Sequence, residues 1–174
     1  DKRILQIYKK FESSIDINQN FIVAVSGGAD SLALSYLAKI YSIKRNINVS
    51  YFIVDHKLRK NSTIEARNVQ TKLKKFFIDL NILTWKGKKP KKNIQSLARE
   101  KRYDLLAEKA KKLKTNNILL GHHLDDLFEN FFLRILRGSG LQGLVSLDQK
   151  ILNKKINLIR PLINFDKKDL IYIS

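Results

Sequence analysis

The sequence predicts a parallel α/β domain: one open sheet with helices on both faces, in three αβα layers. Three observations lead there. Short apolar, β-branched runs alternate with longer segments of helical periodicity. Their spacing forces crossover connections, which make neighbouring strands parallel. Polar, chemically capable residues follow three of the runs, whose interiors are plain, and ligands of such sheets sit outside the carboxyl ends of the strands.

Taken in order, Lys2 to Phe11 carries Ile4, Leu5, Ile7, Tyr8 and Phe11 in the pattern of an amphipathic lead-in helix. Phe21 to Val25 is the first strand, followed through a glycine turn by a helix that begins at Leu32 and runs to about Lys44. Val49 to Val54 is a second, β-branched strand. Asn61-Ser62-Thr63 can cap a helix reaching about Leu80, and Ile82 to Trp85 is a short third strand. A basic loop, Gly87 to Asn93, leads into a helix from about Ile94 to Leu113. Asn117 to Leu120 is the fourth strand, ending at Gly121. A helix from about Leu124 to Leu136 is broken by Arg137-Gly138-Ser139-Gly140. Ile156 to Ile159 is a candidate fifth strand stopped by Pro161, and Asp166 to Ser174 reads as a helix cut short.

The 174 residues suffice for one such domain with a substantial core. Cysteine is absent, which excludes disulfides, thiolate metal sites and catalytic thiols. No apolar run is long enough to span a bilayer, and the first residues lack a signal peptide's apolar stretch, so a cytoplasmic location without a membrane partner is expected. A formal charge of +18 and a pI near 10.1 favour a polyanionic partner, nucleic acid or a membrane surface. The bias also has a compositional source. Lysines number 25 against 9 arginines and isoleucines 21 against 8 alanines, the skew of an A/T-rich coding sequence. About half of the charge excess is credited to function. The chain opens at Asp1 and holds no methionine, and it reads as a piece of a longer protein.

Val23-Ala24-Val25-Ser26-Gly27-Gly28-Ala29-Asp30-Ser31 is the most informative stretch. A strand, a glycine turn and a helix start aim several backbone N–H groups at one spot. The helix N-terminus adds partial positive charge there, so an anion such as phosphate fits. The glycines permit positive φ and close backbone approach, and Ser26 and Ser31 offer hydroxyl donors. The lysine of an ATPase P-loop is absent, and Ala29-Asp30 stands in its place. A carboxylate among phosphates is repelled unless a divalent cation joins them, so Asp30 points to Mg²⁺. The competing reading makes Asp30 a helix cap and leaves the glycines to the turn alone.

His122-His123-Leu124-Asp125-Asp126-Leu127-Phe128-Glu129 forms a second cluster. On a helix starting near Leu124, Asp125 and Glu129 share a face, and Asp126 lies three residues from Glu129. Such carboxylates either hold Mg²⁺ on a triphosphate or simply favour the helix dipole. The paired histidines lack a third partner at zinc-ligand spacing. Arg99 and Arg102, with Tyr103 adjacent, put two guanidinium groups on one helix face. They form a clamp for phosphate or carboxylate, or belong to a solvated basic face with Lys101, Lys109, Lys111 and Lys112. Asp55-His56-Lys57-Leu58-Arg59 contacts a nucleotide or turns the chain. Arg137 to Leu144 is a mobile loop beside a polyanion site or a helix C-cap and turn. Lys86 to Lys92 touches RNA phosphates or is an exposed loop.

These blocks resemble, in order along the chain, the tRNA(Ile)-lysidine synthetases of the N-type ATP pyrophosphatase (PP-loop) superfamily. The blocks are Ser26-Gly27-Gly28-Ala29-Asp30-Ser31, Val54-Asp55-His56-Lys57-Leu58-Arg59, Ala98-Arg99-Glu100-Lys101-Arg102-Tyr103, Gly121-His122-His123-Leu124-Asp125-Asp126, Arg137-Gly138-Ser139-Gly140-Leu141-Gln142-Gly143-Leu144 and Arg160-Pro161-Leu162. The first belongs to the whole superfamily, while the histidine–aspartate and Arg-Gly-Ser-Gly blocks narrow it to this family. Leu127 and Asn130 stand where members often have Gln and Thr.

The resemblance implies the adenine nucleotide alpha-hydrolase version of the αβα fold, with residues 1–174 a catalytic domain lacking the C-terminal tRNA-recognition domains. It implies a ligase that uses ATP and Mg²⁺. ATP adenylates the carbon-2 oxygen of the wobble cytidine of an isoleucine tRNA with a CAU anticodon, releasing pyrophosphate. Free L-lysine then attacks carbon-2 and expels AMP, changing decoding from AUG to AUA. It assigns Ser26, Gly27, Gly28, Ala29, Asp30, Ser31, Asp55 and His56 to ATP, and Asp30 and Asp126 to the metal. Asp30, Arg99, Asp125 and Asp126 take catalytic roles. Arg102, His122, His123, Glu129, Arg137, Gly138, Ser139 and Gly140 take the side of the tRNA and lysine. A homodimer is a possible assembly. Three rivals are a tRNA thiolase of the same superfamily, an amide-forming ATP pyrophosphatase and a catalytically idle nucleic-acid-binding module. The missing cysteines weigh against the first, the basic charge and Arg-Gly-Ser-Gly block against the second, and Asp30 with Asp126 against the third.

Overall fold

Strand β1 (Phe21–Val25) is apolar at every position because both of its faces are covered. In the computed structural model, which describes residues 1–87, 93–121 and 156–174, it is the centre of a five-stranded, all-parallel sheet of order β3-β2-β1-β4-β5. Its neighbours are β2 (Val49–Asp55) and β4 (Asn117–Leu120), with Val23 opposite Tyr51 on one side and Leu119 on the other. Strand β3 (Leu80–Thr84) flanks β2, and β5 (Asn157–Ile159) flanks β4.

Side chains alternate between the two faces. Phe21, Val23 and Val25 pack with Tyr8 and Phe11 of α1 (Lys2–Ser13), Leu34 and Tyr41 of α2 (Ala29–Arg45), Leu73 of α3 (Ser62–Lys74) and Leu170 of α5 (Lys167–Ile173). Ile22 and Ala24 face the opposite layer, where α4 (Ile94–Lys112) supplies Tyr103, Leu106 and Ala110. The split follows from handedness. The β1–β2 and β2–β3 crossovers run one way along the sheet and the β3–β4 crossover runs back, so with every crossover right-handed α4 must pass on the other face. The reversal puts a topological switch point between the carboxyl ends of β1 and β4.

Two boundaries differ from the sequence expectation by three residues or more. Helix α2 starts at Ala29, directly on the glycine turn, ahead of the expected Leu32. Helix α3 stops at Lys74, short of the expected Leu80, because Phe77 takes a left-handed φ of 57°. There Ile78 N–H reaches the Leu73 carbonyl at 3.2 Å and Phe77 N–H the Lys74 carbonyl at 3.0 Å, a Schellman end. Helices α2 and α4 close in the same way at Asn46 (φ 53°) and Lys114 (φ 52°). All three ends lie at the amino edge of the sheet, opposite the switch point. The expected helix over 124–136 and part of the basic loop, 88–92, lie outside the described residues.

The connection between α1 and β1 is tied to the core by one hydroxyl. Tyr41 is fully buried; its Oη donates to the Ile17 carbonyl and accepts from the Ile17 N–H, both at 3.1 Å. Tyr41→Phe strands both backbone groups in an apolar setting, with an expected loss of about 1–3 kcal/mol. Urea unfolding measures it, and a loss below about 0.5 kcal/mol would mean that the hydroxyl is dispensable.

Candidate nucleotide site

The turn after β1 is built by its own residues. Gly27 sits at φ +90°, where a Cβ would lie 2.9 Å from Val69 Cγ2 of α3, so both the backbone and the space require glycine. Ser31 Oγ accepts from Gly27 N–H at 3.0 Å and donates to the Gly28 carbonyl at 2.9 Å, and its side chain is buried. The hydroxyl proton of Ser31 is thus spent inside the turn, so Ser31 shapes the loop where the sequence reading expected a donor to a ligand. Ser26 is exposed at the loop surface. Gly28 is the N-cap of α2 and places no side-chain hydrogen bond there, so the first-turn N–H groups keep the character of an anion site. Asp30 lies half-buried in that first turn.

The far wall of the turn is Gly121, the residue after β4. A Cβ there would come within 2.8 Å of Ser31 Cα and 3.0 Å of Ser31 N. Backbone meets backbone, and no side-chain motion could relieve the overlap. Sequence reading marked Gly121 as a strand end and as the first residue of the histidine–aspartate block, but nothing local reveals a contact across the switch point.

A cleft of about 400 Å³ opens beside the turn. Val25, Ser26 and Gly27 line it from β1, Asp55 and His56 from β2, Ser62 and Glu65 from α3, and Arg102 from α4. His56 stacks edge-on against Trp85, centroids 6.1 Å apart. Burial and the nearby Arg99 cation push the Arg102 guanidinium below its ordinary value, though a guanidinium stays charged at neutral pH. Arg99 sits over the Tyr103 ring at 5.3 Å and buries an Nε that has no hydrogen-bond partner among the described residues. Among the described residues neither arginine has a carboxylate in ion-pair range. Two adjacent cations held this way suit an incoming anion.

Asp55 turns the chain at the end of β2 and also lines the cleft. Its Oδ1 accepts from Lys57 N–H at 2.9 Å and Ser62 Oγ at 2.7 Å, and its Oδ2 from Thr63 Oγ1 at 2.6 Å. The carboxylate thereby ties the first turn of α3 to the end of β2 through the Ser62 and Thr63 hydroxyls, while Asn61, the N-cap residue, makes no side-chain cap bond. Burial works against its charged form, but the bonds from Thr63, Ser62 and Lys57 outweigh it and hold its pKa below the ordinary 3.8. His122, His123, Asp125, Asp126, Glu129, Arg137, Gly138, Ser139 and Gly140 lie outside the described residues.

Fold and site together define a parallel α/β nucleotide-binding domain with its anion site on the glycine turn after the first strand. The chain belongs to the PP-loop domain family, whose model it matches over residues 1–174. It is similar to the tRNA(Ile)-lysidine synthase of Orientia tsutsugamushi (strain Boryong), 40% identical over 153 residues, covering 88% of this chain and 34% of that protein. The synthase of Rickettsia felis is 40% identical over 171 residues, covering 95% and 40%. That of Wolbachia pipientis wMel is 39% identical over 160 residues, covering 91% and 37%. The chain thus spans between 34% and 40% of the length of these relatives. Among solved structures it is similar to the U34-tRNA thiolase NcsA from Methanococcus maripaludis with its 4Fe-4S cluster, at a TM-score of 0.81 and 20% identity, covering 98% of this chain and 62% of that one. That likeness is one of fold. Among the described residues no helix is long and apolar enough to cross a membrane.

Two outcomes follow from this geometry. Gly121→Ala shifts the start of α2, so ATP affinity measured by calorimetry falls at least about tenfold, beside a stability loss of about 1–3 kcal/mol. Asp55→Ala loses about 1–3 kcal/mol at pH 7. A lowered folded-state pKa makes that stabilisation complete above the unfolded value and lost as pH falls through the folded one. The gap between wild type and Asp55→Ala in thermal unfolding therefore holds from pH 7 down to about 4 and closes only below it; closure by pH 6 would contradict the hydrogen-bond set.

Proposed function

We propose that this chain is the catalytic domain of a tRNA(Ile)-lysidine synthase: a cytoplasmic, ATP-dependent ligase that joins lysine to carbon-2 of the wobble cytidine in a CAU-anticodon isoleucine tRNA. The observation that carries the reading is the cleft at the end of β1, where the PP-loop and Arg102 meet. It stands in a chain 39–40% identical to lysidine synthases over 88–95% of its length.

In this reading the triphosphate lies on the turn, with the two departing phosphates against the N–H groups of Gly28, Ala29 and Asp30. Gly27, locked by Ser31, keeps those donors aimed before substrate arrives. Arg99 and Arg102 balance the charge that grows on the α-phosphorus as the cytidine oxygen attacks and the pyrophosphate leaves. The lysine amine must reach carbon-2 unprotonated, a task for a carboxylate; Asp125 and Asp126 are the candidates, with His122, His123, Glu129 and the Arg137-Gly138-Ser139-Gly140 segment on the side of the tRNA.

The donor chemistry fits Mg²⁺. Asp30 offers a hard carboxylate within the first turn of α2, and Mg²⁺ characteristically takes one or two carboxylates plus substrate phosphates. Among the described residues no three His, Cys, Asp or Glu cluster as a complete protein cage. Asp30, with Asp126, would hold the ion, which supplies charge neutralisation to the phosphates when bound. The thiolase alternative is less well supported: this chain has no cysteine with which to hold sulfur or an iron–sulfur cluster.

The test is mass spectrometry of the isoleucine tRNA after incubation with ATP, lysine and the intact gene product. A gain equal to lysine less water is expected. Asp30→Ala is expected to cut AMP formation by at least about 10³-fold while tRNA binding stays within a factor of about two. Unchanged AMP formation would remove Asp30 from the metal role, and a sulfur-for-oxygen mass change would replace the ligase by a thiolase.

A further inference from the structure

Phe77 is the least comfortable residue in the described fold. It occupies a left-handed position, φ 57°, at the Schellman end of α3, where glycine or asparagine is favoured and a bulky side chain is an outlier. The equivalent position of α2 holds Asn46. The ring gains nothing from burial, for Phe77 is 85% exposed. Backbone preference and hydrophobic burial both argue against phenylalanine here, and such a conflict marks positions kept for something other than stability. Beside it Phe76 is 54% exposed and is braced against Tyr36, centroids 4.8 Å apart. Lys72, Lys74 and Lys75 precede the pair along the chain and are exposed, with Lys72 Nζ donating to the Ser174 carbonyl at 3.1 Å. Arg67, also exposed, lies one to two turns nearer the cleft on the same helix.

We propose that the foot of α3 is a second nucleic-acid contact, distinct from the cleft: an unpaired segment of RNA stacks a base on Phe77 while Lys74 and Lys75 meet its phosphates. An aromatic face among cations is what single-stranded nucleic acid binds, since every base offers a π-face and every linkage a charge. A second copy of this chain is a poor occupant, because it brings its own +18 against the same lysines. Val69 is the last residue of α3 in the cleft lining, so roughly 10 Å along the helix separates the cleft wall from this contact. One RNA can span that distance. The proposal needs neither ATP nor an anticodon and stands apart from the ligase reading.

The decisive variant is Phe77→Gly in the intact gene product, because stability and binding should then move in opposite directions. Glycine relieves the left-handed strain, so the thermal unfolding midpoint rises. Affinity for a labelled twelve-nucleotide oligouridine and for an unmodified tRNA transcript, read by fluorescence anisotropy at fixed salt, falls roughly 5- to 100-fold. Lys74→Glu with Lys75→Glu weakens both RNAs and lowers the slope of log affinity against log salt by about 2. ATP binding stays at the wild-type value in both variants. RNA affinity unmoved by Phe77→Gly overturns the proposal. So does a lowered unfolding midpoint, which would place the ring in a packed interface, and so does a loss of binding that sedimentation traces to a changed oligomeric state.

Discussion

A single hydroxyl closes the turn on which the candidate site rests. Ser31 Oγ takes a hydrogen bond from Gly27 N–H and returns one to the Gly28 carbonyl, so the backbone is fixed before any ligand arrives. Three neighbours complete the constraint: β1 delivers the chain, Val69 of α3 fills the space where a Gly27 side chain would go, and Gly121 seats β4 directly on the first turn of α2. A loop held from three sides loses little freedom on binding, which is what preorganisation contributes to affinity. The same arrangement explains why the cleft forms at this edge. There the carboxyl ends of β1 and β2 open between α3 and Arg102 of α4, one from each face of the sheet.

Much of the fold was legible because burial on both faces leaves unbroken apolar runs. Phe21–Val25 and Asn117–Leu120 were found at their true limits, and once the strand order is known handedness places α4 on the face opposite α2 and α3. The end of α3 was not legible. Phe76, Phe77 and Ile78 prolong the apolar pattern, and periodicity cannot register that Phe77 turns left-handed. In the site, the glycine turn was legible because its chemistry is contiguous. What escaped depends on contacts between separate elements: Gly121 against Ser31, Asp55 bound by the hydroxyls of Ser62 and Thr63, and α3 lining the cleft. Asn61-Ser62-Thr63 was rightly taken as a helix start, but the acceptor at that start is a carboxylate from the preceding strand.

The charge excess also has a structural share. Lys44 and Arg45, Lys72 and Lys74, and Lys109, Lys111 and Lys112 occupy the last turns of α2, α3 and α4, where cations offset the exposed carbonyls of a helix end. The parallel topology collects those ends at one edge of the sheet. Arg99 and Arg102 fall outside this explanation. They sit within α4, shift no helix-end carbonyl, and at least one of them reaches the cleft.

The central position of β1 has a consequence for how the chain is made. Its partners on one side, Tyr51 and Ile53, follow closely in the sequence, whereas Leu119 and Leu120 on the other emerge only after α3, β3 and α4. On the ribosome the most apolar strand of the sheet therefore waits with one edge bare, a template for pairing with any other nascent chain. Completion of β4 seals that edge and seats Gly121 behind Ser31 in one event. Maturation of the nucleotide cradle is thus tied to a non-local pairing, that of Ile22 with Ile118.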